Sequence, residues 1–257
     1  MSFRPARRAV ALGLALVLCV VRFWLGRLHG PYTLERRALW LHSTARLVMT
    51  SLGIGVRLEG RPPTDGLVVA NHLSYLDIVI LSAAMPCFFV SKVEVDGWPF
   101  FGEAARSGGT IFLDRASRSS ANLAAREISE RLQLSIPVLL FPEGTSTDGS
   151  RVLRFHSRLI DPATSAGAPV TAAAIRYVIE DGTEERELCW FGDEQFLTHL
   201  WKVLGKAGVS AEVHFGAPRN YVDRRAAAAA THAEIEAMRR LGSPASDRLP
   251  ASSAILK

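Results

Sequence analysis

An unbroken apolar run from Ala9 to Val21 opens the chain, with Arg4, Arg7 and Arg8 before it and Arg22 and Arg27 after it. A basic start and a short apolar core imitate a signal peptide. However, Arg22, Phe23 and Trp24 stand where small cleavage-site residues belong. The run therefore reads as an uncleaved anchor, shorter than the ~20 residues a spanning helix needs unless its arginines snorkel. Arginines on both sides give no orientation by the positive-inside rule. A helix lying in the cytoplasmic leaflet accounts for that symmetry better than a span. Gly30-Pro31 then breaks the chain. Beyond it, Leu34, Ala38, Leu41, Ala45, Val48 and Leu52 recur at steps of four and three, the spacing of one helical face. That second helix either shares the membrane surface or packs on the body of the protein.

The remaining pattern alternates between short apolar runs and helical stretches, which predicts an α/β fold: a mostly parallel mixed sheet flanked by helices. Strands are predicted at Leu67–Ala70, Cys87–Ser91, Thr110–Leu113, Pro137–Phe141, Val170–Val178 and Val209–Phe215. Several are continuously apolar, as strands covered on both faces are. Helices are predicted over Tyr75–Ala84, Ser119–Leu134, Phe196–Leu204 and Ala226–Arg240. In the third, Phe196, Leu197, Leu200, Trp201 and Leu204 make an apolar stripe, read as core rather than as a lipid-binding surface. The expected organisation is a membrane-associated two-helix element over 1–57, a catalytic domain over 58–241, and a flexible Ser/Pro/Ala-rich tail over 242–257.

Composition narrows the partners. The apolar fraction of 48% is high for a fully soluble chain, and a net charge of +5 suits anionic partners such as lipid headgroups or phosphorylated substrates. No basic run is interleaved with aromatic stacking platforms, which argues against nucleic acid. Cys19, Cys87 and Cys189 are scattered and odd in number, without CxxC spacing. This pattern fits neither a disulfide framework nor a zinc site, so no metal is expected, and a reducing, cytosol-facing setting fits.

The candidate chemistry lies just after the predicted strands. His72 follows the first, Lys92 the second, Arg115 the third and Glu143 the fourth. If these strands are parallel, all four residues converge on one sheet edge, where α/β ligands bind. His72 and Asp77 are separated by four residues. A carboxylate that orients a neutral imidazole leaves its second nitrogen as a base near neutral pH. Alternatively, Asp77 merely favours a helix N-terminus. The turn Gly144 to Gly149, with Thr145, Ser146, Thr147 and Asp148, offers donors that could cradle an anion, and Glu143 either orients this loop or meets a substrate hydroxyl. Arg115 suits a bidentate phosphate clamp and Lys92 a point charge, each with an ordinary surface ion pair or solvated side chain as the alternative. No G-x-S-x-G elbow and no cysteine nucleophile is evident. Direct attack by a bound hydroxyl, or by water in a hydrolase, is therefore favoured over a covalent acyl-enzyme.

Asn71-His72-Leu73-Ser74-Tyr75-Leu76-Asp77 resembles the NHxxxxD block of the glycerolipid acyltransferases, specifically the lysophosphatidate acyltransferase group. Lys92-Val93-Glu94 through Gly109–Arg115 is similar to the second block of that family. Phe141-Pro142-Glu143-Gly144-Thr145 is similar to the third, and Ala168-Pro169-Val170 through Tyr177 to the fourth. The resemblance implies acyl transfer from acyl-CoA or acyl-carrier protein, as co-substrate, to the free hydroxyl of a lysolipid at a membrane surface, without a cofactor. It implies His72 as base, Asp77 as its orienting partner, and Asn71, Lys92, Arg115, Glu143, Gly144 and Thr145 as substrate-binding residues. The first acceptor it implies is 1-acylglycerol-3-phosphate, giving phosphatidate. Another lysolipid, such as a lyso-ornithine lipid, is the rival, because Ser146 stands where many phosphate-accepting members carry a basic residue.

Overall fold

The computed structural model describes residues 3–28, 30–98, 101–114, 116–241 and 254–256. Two helices come first, α1 (Arg4–Leu28) and α2 (Leu34–Leu52). They form an antiparallel hairpin. Phe23 on α1 packs edge-on against Tyr32 and Trp40, with ring centroids 4.8 and 5.1 Å apart, and Trp40 Nε1 donates to the Cys19 carbonyl. The predicted face of α2 is indeed covered: Ala38, Ala45, Val48 and Leu52 are buried. They pack largely on the body, where α2 lies along α3 (Leu76–Ala84). Of the two readings of α2, packing on the body is the one realised. Helix α1 is different. It is long and apolar enough to cross a membrane, and only 17% of its most apolar window is buried.

Both helix ends are tied back to the protein. Thr33 caps α2 by accepting from the Arg36 N–H, and Gly53 ends it in the left-handed region at φ 67°. The Arg8 guanidinium lies against Gly53 and also donates to the Leu204 and Lys206 carbonyls, while Arg4 reaches the Gly205 carbonyl. Cations thus meet the exposed carbonyl ends of two helices, where the helix dipole favours them.

The body is one mixed sheet in the order β4-β3-β5-β2-β6-β7-β1-β8. Its strands are β1 (Ile54–Glu59), β2 (Leu67–Ala70), β3 (Phe88–Lys92), β4 (Ile111–Leu113), β5 (Val138–Leu140), β6 (Val170–Ile179), β7 (Val209–Phe215) and β8 (Ala254–Leu256). The strands β4, β3, β5, β2 and β6 run parallel, β7 is antiparallel to β6, and β1 is parallel to β7. The fold class expected from the pattern is thus realised. Two strands were not expected, β1 and β8. Ile54–Glu59 alternates buried and exposed positions and pairs with β7 across its whole length, so the 57/58 boundary falls inside β1. Most of the 242–257 tail lies outside the described residues, and Ala254–Leu256 pairs antiparallel with β1.

Because side chains alternate across a strand, β2 serves two cores at once. Val68 and Ala70 face the layer that holds α2, α3 and α7 (Phe196–Gly205). Leu67 and Val69 face the layer that holds α5 (Arg118–Leu132) and α8 (Arg224–Leu241). All four are fully buried, which fixes the strand end from which His72 emerges.

Candidate active site

After Ala70 the chain leaves the sheet, and the side chain of Asn71 continues the ladder in place of backbone. Its Nδ2 donates to the Ile175 carbonyl at 3.1 Å and its Oδ1 accepts from the Ile175 N–H at 2.8 Å. Asn71 is 1% exposed and faces β6, so it is a clamp within the sheet and not a substrate contact. Replacing Asn71 with alanine is expected to cost about 1–3 kcal/mol of stability, because the Ile175 N–H is left unmatched in the interior. Denaturant unfolding measures this.

His72 and Asp77 meet. Nδ1 of His72 lies 2.8 Å from Oδ2 of Asp77, which also accepts from the Leu73 and Ser74 N–H groups at 2.6 and 3.0 Å. The carboxylate sits at the start of α3, yet it bends back to gather the loop before the helix. An ionised carboxylate only accepts, so Nδ1 carries the proton and Nε2 is left as the basic nitrogen. The Asp77 side chain is sealed, with no exposure, whereas that of His72 is 19% exposed and lines a cavity of about 420 Å³.

The main chain of His72 is gripped from the opposite side. Its N–H donates to Oε1 of Glu143 at 2.8 Å, and its carbonyl accepts from the Thr147 N–H at 3.0 Å. Its ring stacks on Phe141 with centroids 4.1 Å apart and planes inclined by 14°. The Phe141–Thr147 segment therefore aligns the His72 ring. This realises one of the two readings of Glu143, loop orientation, and alters the expectation for the anion cradle. Both Glu143 oxygens accept backbone N–H groups, the second from Leu153 at 2.7 Å, and the residue is 4% exposed, so it orients the loop and does not meet a substrate hydroxyl. Burial pushes its pKa up, partly offset by those N–H donors. In the predicted anion cradle, Ser146 Oγ instead donates to the Trp190 carbonyl and Thr147 Oγ1 to the His72 carbonyl.

Of the other expected residues, Lys92, Gly144 and Thr145 line the same cavity as His72. Arg115 lies outside the described residues. The strands that lead to His72, Lys92 and Glu143 are mutually parallel, which is why these positions share one sheet edge. Much of the rest of the wall is aromatic, with Tyr75, Phe89, Trp98, Phe101, Phe141 and Trp190 among its lining. Tyr75 packs edge-on against Trp190 and Phe196, with centroids 5.8 and 4.8 Å apart. Its hydroxyl pairs with Nδ1 of the buried His199 at 3.1 Å. Burial raises the Tyr75 pKa and lowers that of His199, which keeps both neutral near pH 7.

The pattern does not reveal the role of Tyr177. It sits on β6, 2% exposed, and its hydroxyl donates to Oδ1 of Asp77, giving that carboxylate a fourth donor. Burial, then the Asp77 charge, hold the phenol well above its ordinary pKa, so it stays a donor. Tyr177→Phe is expected to leave one buried carboxylate oxygen unmatched, at a cost of about 1–3 kcal/mol. A denaturant curve checks this effect.

The Acyltransferase family model matches residues 55–176, which span β1 through most of β6. The chain is 38% identical over 210 residues to a lyso-ornithine lipid O-acyltransferase of Pseudomonas aeruginosa, a match covering 80% of this chain and 78% of that protein. It is 36% identical over 174 residues to a 1-acyl-sn-glycerol-3-phosphate acyltransferase of Neisseria meningitidis, covering 66% and 68%. The crystal structure of the LPA acyltransferase PlsC from Thermotoga maritima shares the fold with a TM-score of 0.65 at 20% identity, covering 95% of this chain and 100% of that one. Identity sustained over most of both chains, with the parallel-strand edge and its His-Asp pair inside the matched region, makes this chain a member of the acyltransferase family.

Proposed function

We propose that the protein moves a fatty acyl group from acyl-CoA or acyl-carrier protein to the free hydroxyl of a lysolipid at the cytoplasmic face of the cell membrane. The observation that carries this reading is the His72–Asp77 contact of 2.8 Å at the rim of an aromatic-walled cavity. Nε2 of His72 takes the hydroxyl proton as the oxygen attacks the thioester carbonyl carbon. The C–S bond then breaks, and the imidazolium returns the proton to the departing thiolate. Asp77 stabilises the imidazolium through the interval. Ester and free thiol leave with the histidine neutral again.

Two acceptors are considered. The resemblance puts 1-acylglycerol-3-phosphate first. Lyso-ornithine lipid is favoured by a specific observation: the loop carries Ser146, bound to the Trp190 carbonyl, where a basic side chain would face a phosphate. The Pseudomonas relative also matches a larger share of this chain than the Neisseria one does. The membrane arrangement we propose is in-plane. A helix whose first turns are pinned to Leu204, Gly205 and Lys206, and whose later turns pack on α2, lies beside the body and does not project from it.

The test is lipid analysis after expression in cells that lack lysophosphatidate acylation and in cells that accumulate lyso-ornithine lipid. Restored phosphatidate assigns the first acceptor, and restored ornithine lipid the second. Incubation of the purified enzyme with acyl-CoA or acyl-carrier protein, with and without lysolipid, separates transfer from hydrolysis. Release of free acid at the same rate without acceptor would overturn the proposal in favour of a thioesterase.

A further inference from the structure

The apolar stripe of α7 is core only in part: Leu204 is buried and Leu200 packs against the same cluster. Its covered side is made by His199, Val203 and Leu204, whereas Leu197 and Trp201 are 74% and 55% exposed. This departs from the expectation at Leu197 and Trp201 and leaves two large apolar side chains facing outward. Their surroundings identify what they face. Helix α7 runs antiparallel to the first half of α1: Leu204 lies by Arg8, and Leu197, Leu200 and Trp201 line an apolar furrow of about 340 Å³ with Ala9, Leu12 and Leu16. The far wall of the furrow belongs to α1, whose outer positions Leu14, Val17 and Trp24 are 60–67% exposed. The α7 face is thus continuous with the most exposed apolar surface of the protein, at the same level along it. Arg4 and Arg8 stand at its rim, where anionic headgroups would sit above hydrocarbon.

The inner end of α7 reaches the reaction cavity. Phe196 opens the helix and packs against Tyr75 and Phe101, with centroids 4.8 and 4.9 Å apart, and both partners line the cavity that holds His72. Phe101 is itself 42% exposed. An apolar track therefore runs from the furrow, over the outer face of α7, to the cavity mouth.

We propose that α7 is a third membrane-contacting element, that phospholipid acyl chains occupy the furrow between α1 and α7, and that this contact holds the cavity mouth at the lipid surface. The inference deepens the lysolipid reading above, and rests on it only for the purpose of the contact. The contact itself follows from exposure and continuity. Trp201 is a built-in reporter. Full-length protein is mixed with vesicles of phosphatidylethanolamine and phosphatidylglycerol that carry brominated acyl chains, and the quenching of wild type is compared with that of Trp201→Phe. The expected result is a quenched emission component present in wild type and lost in the variant. Leu197→Ser with Trp201→Ser is expected to lower vesicle partitioning about tenfold or more, since two large side chains no longer leave water. In a detergent-dispersed assay, the same double variant should transfer acyl groups as wild type does. Unquenched Trp201 together with unchanged partitioning would overturn the proposal. So would a change of oligomeric state in the double variant in sedimentation, because the face would then bind a second copy. An inactive wild type that still shows quenched Trp201 would sink the catalytic reading and leave the membrane contact standing.

Discussion

His72→Ala is expected to lower acyl transfer by about 10²- to 10⁴-fold, the range that a positioned general base supplies. The residual rate would come from binding alone, because among the described residues no serine or cysteine in the cavity wall is paired with a base to take over as nucleophile. The structure also predicts that this variant folds. The His72 contacts that organise the loop are made by its main chain, to Glu143 and Thr147, and these survive removal of the ring. The ring itself is partly exposed and stacks on Phe141, so its loss opens space on the cavity side and not in the core. Kinetics beside a thermal melt measure the two quantities separately. A stable, vesicle-bound variant with full activity would end the general-base account.

Asp77 should divide into two effects according to the replacement. In Asp77→Asn the amide oxygen can keep the three N–H donors that Oδ2 holds, and the amide nitrogen can turn the Tyr177 hydroxyl into an acceptor. Geometry and tautomer are then preserved, and only the negative charge is lost. The imidazolium that forms during transfer then lacks its counter-charge, so the expected loss is roughly 10- to 100-fold in rate at neutral pH, with little change in stability. Asp77→Ala removes the acceptor for all four donors in a fully buried position. Each stranded group costs about 1–3 kcal/mol, so a loss of several kcal/mol is expected, enough to unfold a marginal domain. Comparing the two by pH–rate profile and by denaturant midpoint distinguishes the charge from the scaffold. Equal stability in the two variants would contradict the hydrogen-bond arrangement described above.

Much of this was readable from residue order, for identifiable reasons. β2, β6 and β7 are long or continuously buried runs, so composition marks them directly. The His72–Asp77 pair is local, and its spacing carries the contact. Lys92 and Glu143 follow strands that turn out parallel, so their common edge follows from topology. Residues whose partners are remote were misread. Glu143 looks like a polar group facing substrate until its two oxygens are seen to hold the main chains of His72 and Leu153. The resemblance makes Asn71 a substrate-binding residue, yet its side chain faces away into β6. The α7 stripe has helical period, and period does not say which side is covered; here His199, Val203 and Leu204 are covered while Leu197 and Trp201 are not. β1 directly follows a helix that shares its apolar face, and Gly53 alone marks the change from one element to the other.

The proposed catalytic pair lies within one short stretch, but the restraints on it arrive from elsewhere in the chain. Tyr177 lies 100 positions from Asp77, Glu143 lies 71 from His72, and the Thr147 hydroxyl lies 75 from the His72 carbonyl it meets. A nascent polypeptide that has emerged only as far as α3 carries every reactive atom and none of these braces. Competence should therefore appear late in refolding, in step with the final closure of β6 onto β2. On warming, turnover should vanish at the same temperature as the native sheet, with no inactive but still folded species in between.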